Sequence, residues 1–304
     1  MTAPVLIAGP TATGKSAVAL ALAERIGGEI VSVDSMQVYR GLDIGTAKPS
    51  AAERARVPHH LVDVAGLTEG FDAARFVALA TAAVDDIRSR GRTPILCGGT
   101  GMYFNAWLNG LGSAPAPDAA LRAELEAKPL PELLDELART DPVTFDEIDL
   151  ENRRRIVRAV EVVRLTGRPF SQQRAAWPER APALAGRSFG LVRDRDVLRR
   201  RIDARVEAMF SDGLIDETRA LLAHGLEQNR TAMQAIGYRQ GVEHLRGERS
   251  RLETIDQVKT KTRQFAKRQL TWFRGQLDLE WIEIASVCAP DDTAGRIEAA
   301  IAKG

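Results

Sequence analysis

Gly9-Pro10-Thr11-Ala12-Thr13-Gly14-Lys15-Ser16 is the stretch on which the fold turns. It matches G-x-x-x-x-G-K-[ST]. It lies between an apolar run, Pro4 to Ala8, that reads as a strand, and an Ala- and Leu-rich segment, Lys15 to Ile26, that reads as a helix. A phosphate-binding loop requires that context. Gly9 and Gly14 let the backbone N–H groups between them turn inward around an oxyanion, and the helix N-terminus adds partial positive charge. Lys15 adds a full charge, and the Ser16 hydroxyl is a candidate Mg²⁺ ligand. The motif predicts a bound polyphosphate without specifying a nucleoside triphosphate.

Outward from the loop, β-rich and helical runs alternate. Glu29 to Val33 reads as a second strand, Phe71 to Arg90 as a helix, and Thr93 to Cys97 as a third strand ended by Gly98-Gly99. This order predicts a parallel sheet with covering helices. After Gly112 the texture changes. Ser113-Ala-Pro-Ala-Pro117 is a Pro-punctuated boundary, and no strand is evident from Asp118 to about Trp177. Helical spacing at Leu121–Leu125, Leu130–Leu137 and Ile156–Leu165 predicts an all-helical insertion. Ser188 to Val192 then returns the chain to the sheet. Helices follow over Val197–Phe210, Ile215–His224 and Ile255–Phe273, with a last strand from Leu279 to Ile284. The expected fold class is α/β: a parallel sheet of the P-loop NTPase type over 1–112 and 188–304, with a helical insertion domain over 113–187.

In open parallel sheets ligands bind beyond the carboxyl ends of the strands. Three ends are readable: the loop itself, Asp34-Ser35, and Gly98-Gly99-Thr100-Gly101. A P-loop NTPase also needs a Walker-B Asp at a strand end. The third strand offers none, and Asp34 is the only carboxylate ending an early strand. Asp34 has three readings by spacing: Mg²⁺ ligand, general base, or cap on the following turn. Thr100 reads either as a turn residue or as a hydrogen-bonding group in the pocket. His59-His60 lacks nearby ligands and reads as structural or polar.

The chain has 304 residues, 44% hydrophobic and 27% charged, and a net charge of +1. That near-neutral total hides an asymmetry. Between Arg153 and Arg205 lie fifteen Arg, no Lys and five acids, leaving the remainder at −9. A second basic run, Lys259, Lys261, Arg263, Lys267, Arg268 and Arg274, contains no acid from Gln257 to Leu277. Clustered positive charge in a neutral protein predicts a localised anionic partner such as nucleic acid. Arg suits phosphate better than Lys does. Cys97 and Cys288 are far apart, without metal-ligand spacing, and read as reduced thiols. No apolar run approaches the ~20 residues of a membrane span. The expectation is a cytoplasmic protein, not membrane-bound, and monomeric.

The segment Val33-Asp34-Ser35-Met36-Gln37-Val38-Tyr39-Arg40-Gly41-Leu42-Asp43-Ile44-Gly45-Thr46-Ala47-Lys48-Pro49 resembles the signature of the tRNA dimethylallyltransferases, or tRNA isopentenyltransferases. The phosphate loop resembles theirs. So do Gly98–Tyr103, Arg154–Val162, Gln234–Arg239 and Lys267–Arg274, and the similarity runs over nearly the whole chain. Thr13 and Ser16 are conservative departures within the loop, and the zinc-finger tail of eukaryotic members is missing.

The resemblance implies that dimethylallyl diphosphate and tRNA are the substrates, with the dimethylallyl group passing to N6 of the adenosine 3′ of the anticodon in tRNAs reading U-starting codons. It implies a diphosphate cradle of Gly9, Thr11, Ala12, Thr13, Gly14, Lys15 and Ser16, with Mg²⁺ on Ser16. It implies that Asp34 accepts the N6 proton, that Arg205 is directed at the diphosphate, and that Thr100 belongs to the catalytic set. For tRNA contact it implies Asp34, Ser35, Met36, Gln37, Thr100 and Arg122. From the insertion it adds Arg154, Arg155, Ile156, Val157 and Arg158. From the C-terminal motifs it adds Gln234, Gly237, Tyr238, Arg239, Lys267, Arg268, Trp272 and Arg274. By spacing alone, Trp272 and Phe273 read as core, and Arg122 as a surface helix charge.

Three alternatives accompany this reading. A P-loop small-molecule kinase would use the same loop but has no need of an Arg-rich insertion. A non-catalytic RNA-binding module leaves the loop and Asp34 unexplained. An isopentenyltransferase acting on free adenine nucleotides shares the chemistry, and the helical insertion favours tRNA over it.

Overall fold

The structure, a computed structural model, describes residues 2–175, 184 and 186–303. The tail of the expected insertion, 176–183 and 185, lies outside the described residues. Trp177, the expected limit of the strand-free stretch, lies there too.

Six strands form one sheet: β1 (Val5–Ala8), β2 (Gly28–Val33), β3 (His59–His60), β4 (Thr93–Gly98), β5 (Ser188–Val192) and β6 (Glu280–Glu283). Their order is β3-β2-β4-β1-β5-β6, and every pairing is parallel. The parallel α/β sheet expected from sequence is therefore present. β1, β2 and β4 are buried along their whole length. Burial on both faces explains why these strands read as near-continuous apolar runs rather than as alternation. β3 was not expected from sequence. It is a two-residue edge strand whose His60 Nε2 lies 2.8 Å from the buried Glu29 Oε2. His59 Nδ1 lies 2.8 Å from the Val57 carbonyl.

The chain divides into two compact units: Met1–Leu108 with Glu179–Gly304, and Asn109–Pro178. In the first, apolar residues pack both faces of the sheet. One cluster gathers Leu6, Val33, Phe76, Phe104, Ile202 and Phe273; the other gathers Val5, Ile7, Leu22, Phe189 and Ile297. The helix Lys15–Ile26 ends at Gly27 in the left-handed conformation, the usual stop for an L-chain helix. The helix Arg251–Gln276 starts on a capping box formed by Ser250 and Glu253. Both features satisfy backbone groups that a helix end otherwise leaves open.

The second unit is helical: Ala119–Ala127, Leu130–Thr140, Pro142–Glu147 and Arg153–Thr166. Asp118, Asp141 and Asn152 cap three of these helices by accepting backbone N–H groups. Its core is Leu125, Leu133, Leu137, Ile156, Val157 and Val160. Glu161 is fully buried there, accepting from Arg122 Nη2 at 2.6 Å, Arg158 Nη1 at 2.8 Å and the Asp118 N–H at 3.0 Å. Burying a carboxylate is tolerable only with such partners. No helix of the described residues is long and apolar enough to cross a membrane.

Candidate active site

The carboxyl ends of β1, β2 and β4 are neighbours in the sheet, so the three segments that follow them meet. Gly98 makes this possible: a Cβ there would overlap the Val33 carbonyl. Without one, the Thr100 N–H reaches Val33 O at 3.2 Å, and Thr100 Oγ1 accepts from the Ser35 N–H at 3.1 Å. Thr100 thereby ties the β4 end to the β2 end. Asp34 Oδ1 accepts from the N–H groups of Met36 (2.8 Å) and Gln37 (3.2 Å), so it does cap the following turn. Its second oxygen takes no hydrogen bond among the described residues.

Within the phosphate loop, Thr13 Oγ1 and Lys15 Nζ both donate to Pro10 O, at 2.9 and 2.6 Å. Ala12 takes a left-handed φ of 63°. Lys15 is buried, and burial pushes its pKa down to about 8, against the upward pull of the Cys97 thiol and Asp34. Three arginines close around the loop. Arg193 Nε donates to Thr13 O at 2.7 Å, Arg201 Nε to Ala12 O at 2.9 Å, and Arg205 Nη1 to Thr11 Oγ1 at 3.3 Å. Burial lowers the Arg205 pKa, opposed by Asp34, and burial likewise lowers that of Arg193. Four cations thus surround one loop, with Asp34 the carboxylate whose charge is felt by both Lys15 and Arg205. Lys15 is buried, and Arg193 and Arg205 partly so, while Arg201 is exposed; cations drawn out of water without matching anions are costly. Such a set is completed by an anionic ligand with several oxygens.

Arg193 and Arg201 were not among the residues singled out from sequence. Their only sequence signal is membership of the Arg-rich stretch. Gln269 was also missed as a bridge. Its Oε1 accepts the Thr11 N–H and its Nε2 donates to Gly99 O, both at 2.9 Å, joining the phosphate loop to the β4 turn.

A crevice of about 400 Å³ opens beside these groups, lined by Thr11, Asp34, Ser35, Met36, Thr100 and Arg205. Gln234, Phe265, Arg268 and Gln269 also line it, and much of its remaining wall is apolar, from Val206, Met209, Ala235, Ile236 and Val258. Phe265 is 39% exposed, with the Arg268 guanidinium 6.0 Å from its ring centroid. It was not singled out from sequence, although it is the large aromatic side chain at the crevice wall.

The residues named for an RNA partner separate by burial. Arg155, Arg239, Lys267, Arg268 and Arg274 are exposed, as is Arg154. Ile156 and Val157 are core residues of the helical unit, so their side chains offer no surface. Tyr238 is likewise fully buried. It donates to Glu217 Oε1 at 2.5 Å and accepts the Gly45 N–H at 3.1 Å, holding the 44–46 loop at the crevice wall. Its helix starts at Gly237, whose φ is 106°. Gln37 spends its amide on Ser32 Oγ, Thr46 O and Ala47 O. Arg122 and Arg158 are partners of Glu161 rather than isolated surface charges. Trp272 packs where a Cβ on Gly101 would stand, edge-on to the buried Phe273.

Comparison with known proteins adds a family to this geometry. Residues 37–276 match the model of the IPP transferase family. A curated tRNA dimethylallyltransferase of Anaeromyxobacter sp. (strain Fw109-5) is 48% identical over 298 residues, covering 97% of this chain and 98% of that protein. Among solved structures, a full-length tRNA isopentenylpyrophosphate transferase of Bacillus halodurans is 39% identical with a TM-score of 0.71, over 99% of this chain and 97% of that one. A eukaryotic dimethylallyltransferase acting on tRNA has a TM-score of 0.79 at 27% identity, over 98% of this chain and 78% of that one. On the length and level of these similarities, the chain belongs to the IPP transferase family.

Proposed function

We propose that this protein transfers the dimethylallyl group of dimethylallyl diphosphate to N6 of the adenosine 3′-adjacent to the anticodon in tRNAs reading U-starting codons. The single observation that carries this reading is the pairing of features in one crevice. Lys15, Arg193, Arg201 and Arg205 crowd the phosphate loop, and Asp34 stands beside an apolar wall. A diphosphate leaving group fits the cations, and a short hydrocarbon fits the wall. The relatives, named as tRNA dimethylallyltransferases, support the same substrate classes.

The chemistry is a substitution at the allylic carbon. The N6 lone pair forms the new N–C bond while the C–O bond to diphosphate breaks, and diphosphate leaves with that electron pair. The N6 proton passes to Asp34, whose unbonded carboxylate oxygen is available for it. Arg205, bonded to Thr11 Oγ1, places a guanidinium where negative charge develops on the leaving oxygen. Stabilisation of that kind is usually the largest catalytic term. Ser16 is exposed and its hydroxyl takes no hydrogen bond among the described residues, which fits a Mg²⁺ that keeps most of its ligands as water and phosphate oxygens. Bound there, the ion would supply further neutralisation of the diphosphate. Thr100 fixes the β2 and β4 ends relative to each other and borders the space left for the base. The exposed Lys267, Arg268 and Arg274 suit RNA phosphates, and Phe265 offers a face for an unstacked base.

The test supplies radiolabelled dimethylallyl diphosphate with unmodified tRNA or AMP, in the absence of ATP. Label in tRNA supports the proposal, label in AMP alone assigns the free-nucleotide reaction, and label in neither refutes transfer.

A further inference from the structure

One turn of helix borders two cavities. Arg205 and Met209 lie on the helix Arg195–Ser211 at i and i+4, hence on one face. Both line the crevice described above, and both also line a second cavity of about 470 Å³. Among the charged residues in its wall, Lys48, Asp43 and Arg54 are already paired and Arg205 bonds Thr11, while Asp212 is exposed at its rim. Lys48 Nζ donates to Tyr39 O at 2.9 Å, Asp43 Oδ1 at 2.5 Å and Asp63 Oδ1 at 2.6 Å, and Arg54 pairs with Asp63. What remains at its surface is largely apolar, including Ile44, Ala47, Pro49 and Ala208. It is a space that hydrocarbon can enter once the wall is opened.

We infer that Met209 sets the length of prenyl chain the enzyme accepts, by closing the apolar end of the crevice against this second cavity. The inference rests on the proposed prenyl transfer. Arg205 marks the diphosphate end, through its bond to the loop residue Thr11. Four residues along a helix advance about 6 Å. A dimethylallyl chain spans roughly 5 Å from the diphosphate oxygen that carries it to its terminal methyls, as four bonds of ~1.5 Å in zigzag. A donor anchored at Arg205 and lying along this helix therefore ends at Met209. A ten-carbon donor carries a further ~5 Å and has to pass it. Met209 is only 8% exposed and belongs to the main core cluster, so neighbouring side chains hold it in place. Methionine is otherwise a pliable side chain, and packing is what makes it a wall here.

The experiment compares dimethylallyl and geranyl diphosphate as donors to an unmodified anticodon stem-loop RNA, with the adduct identified by mass spectrometry. Wild-type protein should favour the five-carbon donor by at least ~100-fold in kcat/KM, in the range that hydrophobic pockets achieve by size. Met209→Ala should narrow this preference at least tenfold by joining the two cavities. Met209→Val, which keeps a packed apolar side chain and protects the fold, should narrow it less. Met209→Phe should leave geranyl excluded and raise KM for the five-carbon donor. Affinity for inorganic pyrophosphate, which does not reach Met209, should match wild type in all three. An unchanged donor ratio in the Ala and Val variants, with pyrophosphate binding intact, overturns the role of Met209 and leaves prenyl transfer standing. Failure of wild-type protein to transfer either donor overturns the transfer reading itself, and this inference with it.

Discussion

Gln269→Met removes a side chain that bonds both the phosphate loop and the β4 turn while keeping a side chain of comparable length. Two hydrogen bonds of 2.9 Å are lost, from the Thr11 N–H and to the Gly99 carbonyl. A buried polar group deprived of its partner costs about 1–3 kcal/mol. Thr11 and Gly99 are only half-buried, so water can reach both, and the low end applies: about 2 kcal/mol in all. A loop freed by that amount must be re-ordered when the diphosphate binds, which corresponds to a loss of affinity of up to roughly 30-fold. Calorimetric titration with inorganic pyrophosphate, without RNA, reads this directly. A thermal melt of the same samples reads the stability loss. Gln264→Met, an exposed change on the same helix, should move neither. A Gln269→Met protein that melts lower yet binds pyrophosphate within twofold of wild type would refute the reasoning, because the loops would then hold their alignment without the bridge.

Three further outcomes are expected. Lys15, held near pKa 8 by burial, is neutral in the free protein above that pH, so binding of sulfate, an oxyanion with no proton of its own to release at pH 9, should take up close to one proton; titrations in buffers of differing ionisation enthalpy measure it, and equal heats would refute it. The same shift has a defined sign for folding: the folded pKa lies below that of the unfolded chain, so unfolding takes up a proton and stability from this group rises with pH between about 8 and about 10.5. Asp34→Asn keeps an oxygen for the turn cap and loses the proton acceptor, so turnover should fall ~10²–10⁴-fold with an unchanged melt; Asp34→Ala should lose both activity and some stability, and near-normal turnover in either would remove Asp34 from the mechanism. Glu161→Leu strips Arg122 and Arg158 of their shared partner; breaking a buried pair costs about 3–5 kcal/mol, and because both arginines are partly exposed the loss should fall somewhat below that, visible in a chemical denaturation curve.

Much of the site was legible because its chemistry is local. The loop from Gly9 to Ser16 needs only a strand before it and a helix after it, and both are written in the adjacent residues. Asp34 and Thr100 were readable as residues ending strands, and the structure adds which of the open roles their bonds fill: cap for Asp34 Oδ1, tie for Thr100. The helices Ala51–Arg56, Gly101–Asn109 and Tyr238–Leu245 were not expected. The first and third are the shorter ones, six and eight residues, and Gly101 and the aromatic cluster after it give no clean periodicity. Tyr238 shows what the sequence leaves out. Its contact role is implied only by the resemblance, and its burial against Gly45 and Glu217 depends on residues 193 and 21 positions away.

By itself the sequence determined the phosphate loop, the parallel sheet and which polar side chains stand at the ends of the early strands, because each follows from short-range periodicity and turn chemistry. Tertiary structure alone decided what those groups face. Gln269 meets Thr11 across 258 residues, Arg193 and Arg201 reach the loop across 180 and 189, and Arg205 and Met209 become one wall between two cavities. Such contacts carry no local signal: they exist only once the sheet order has brought β1, β4 and β5 side by side.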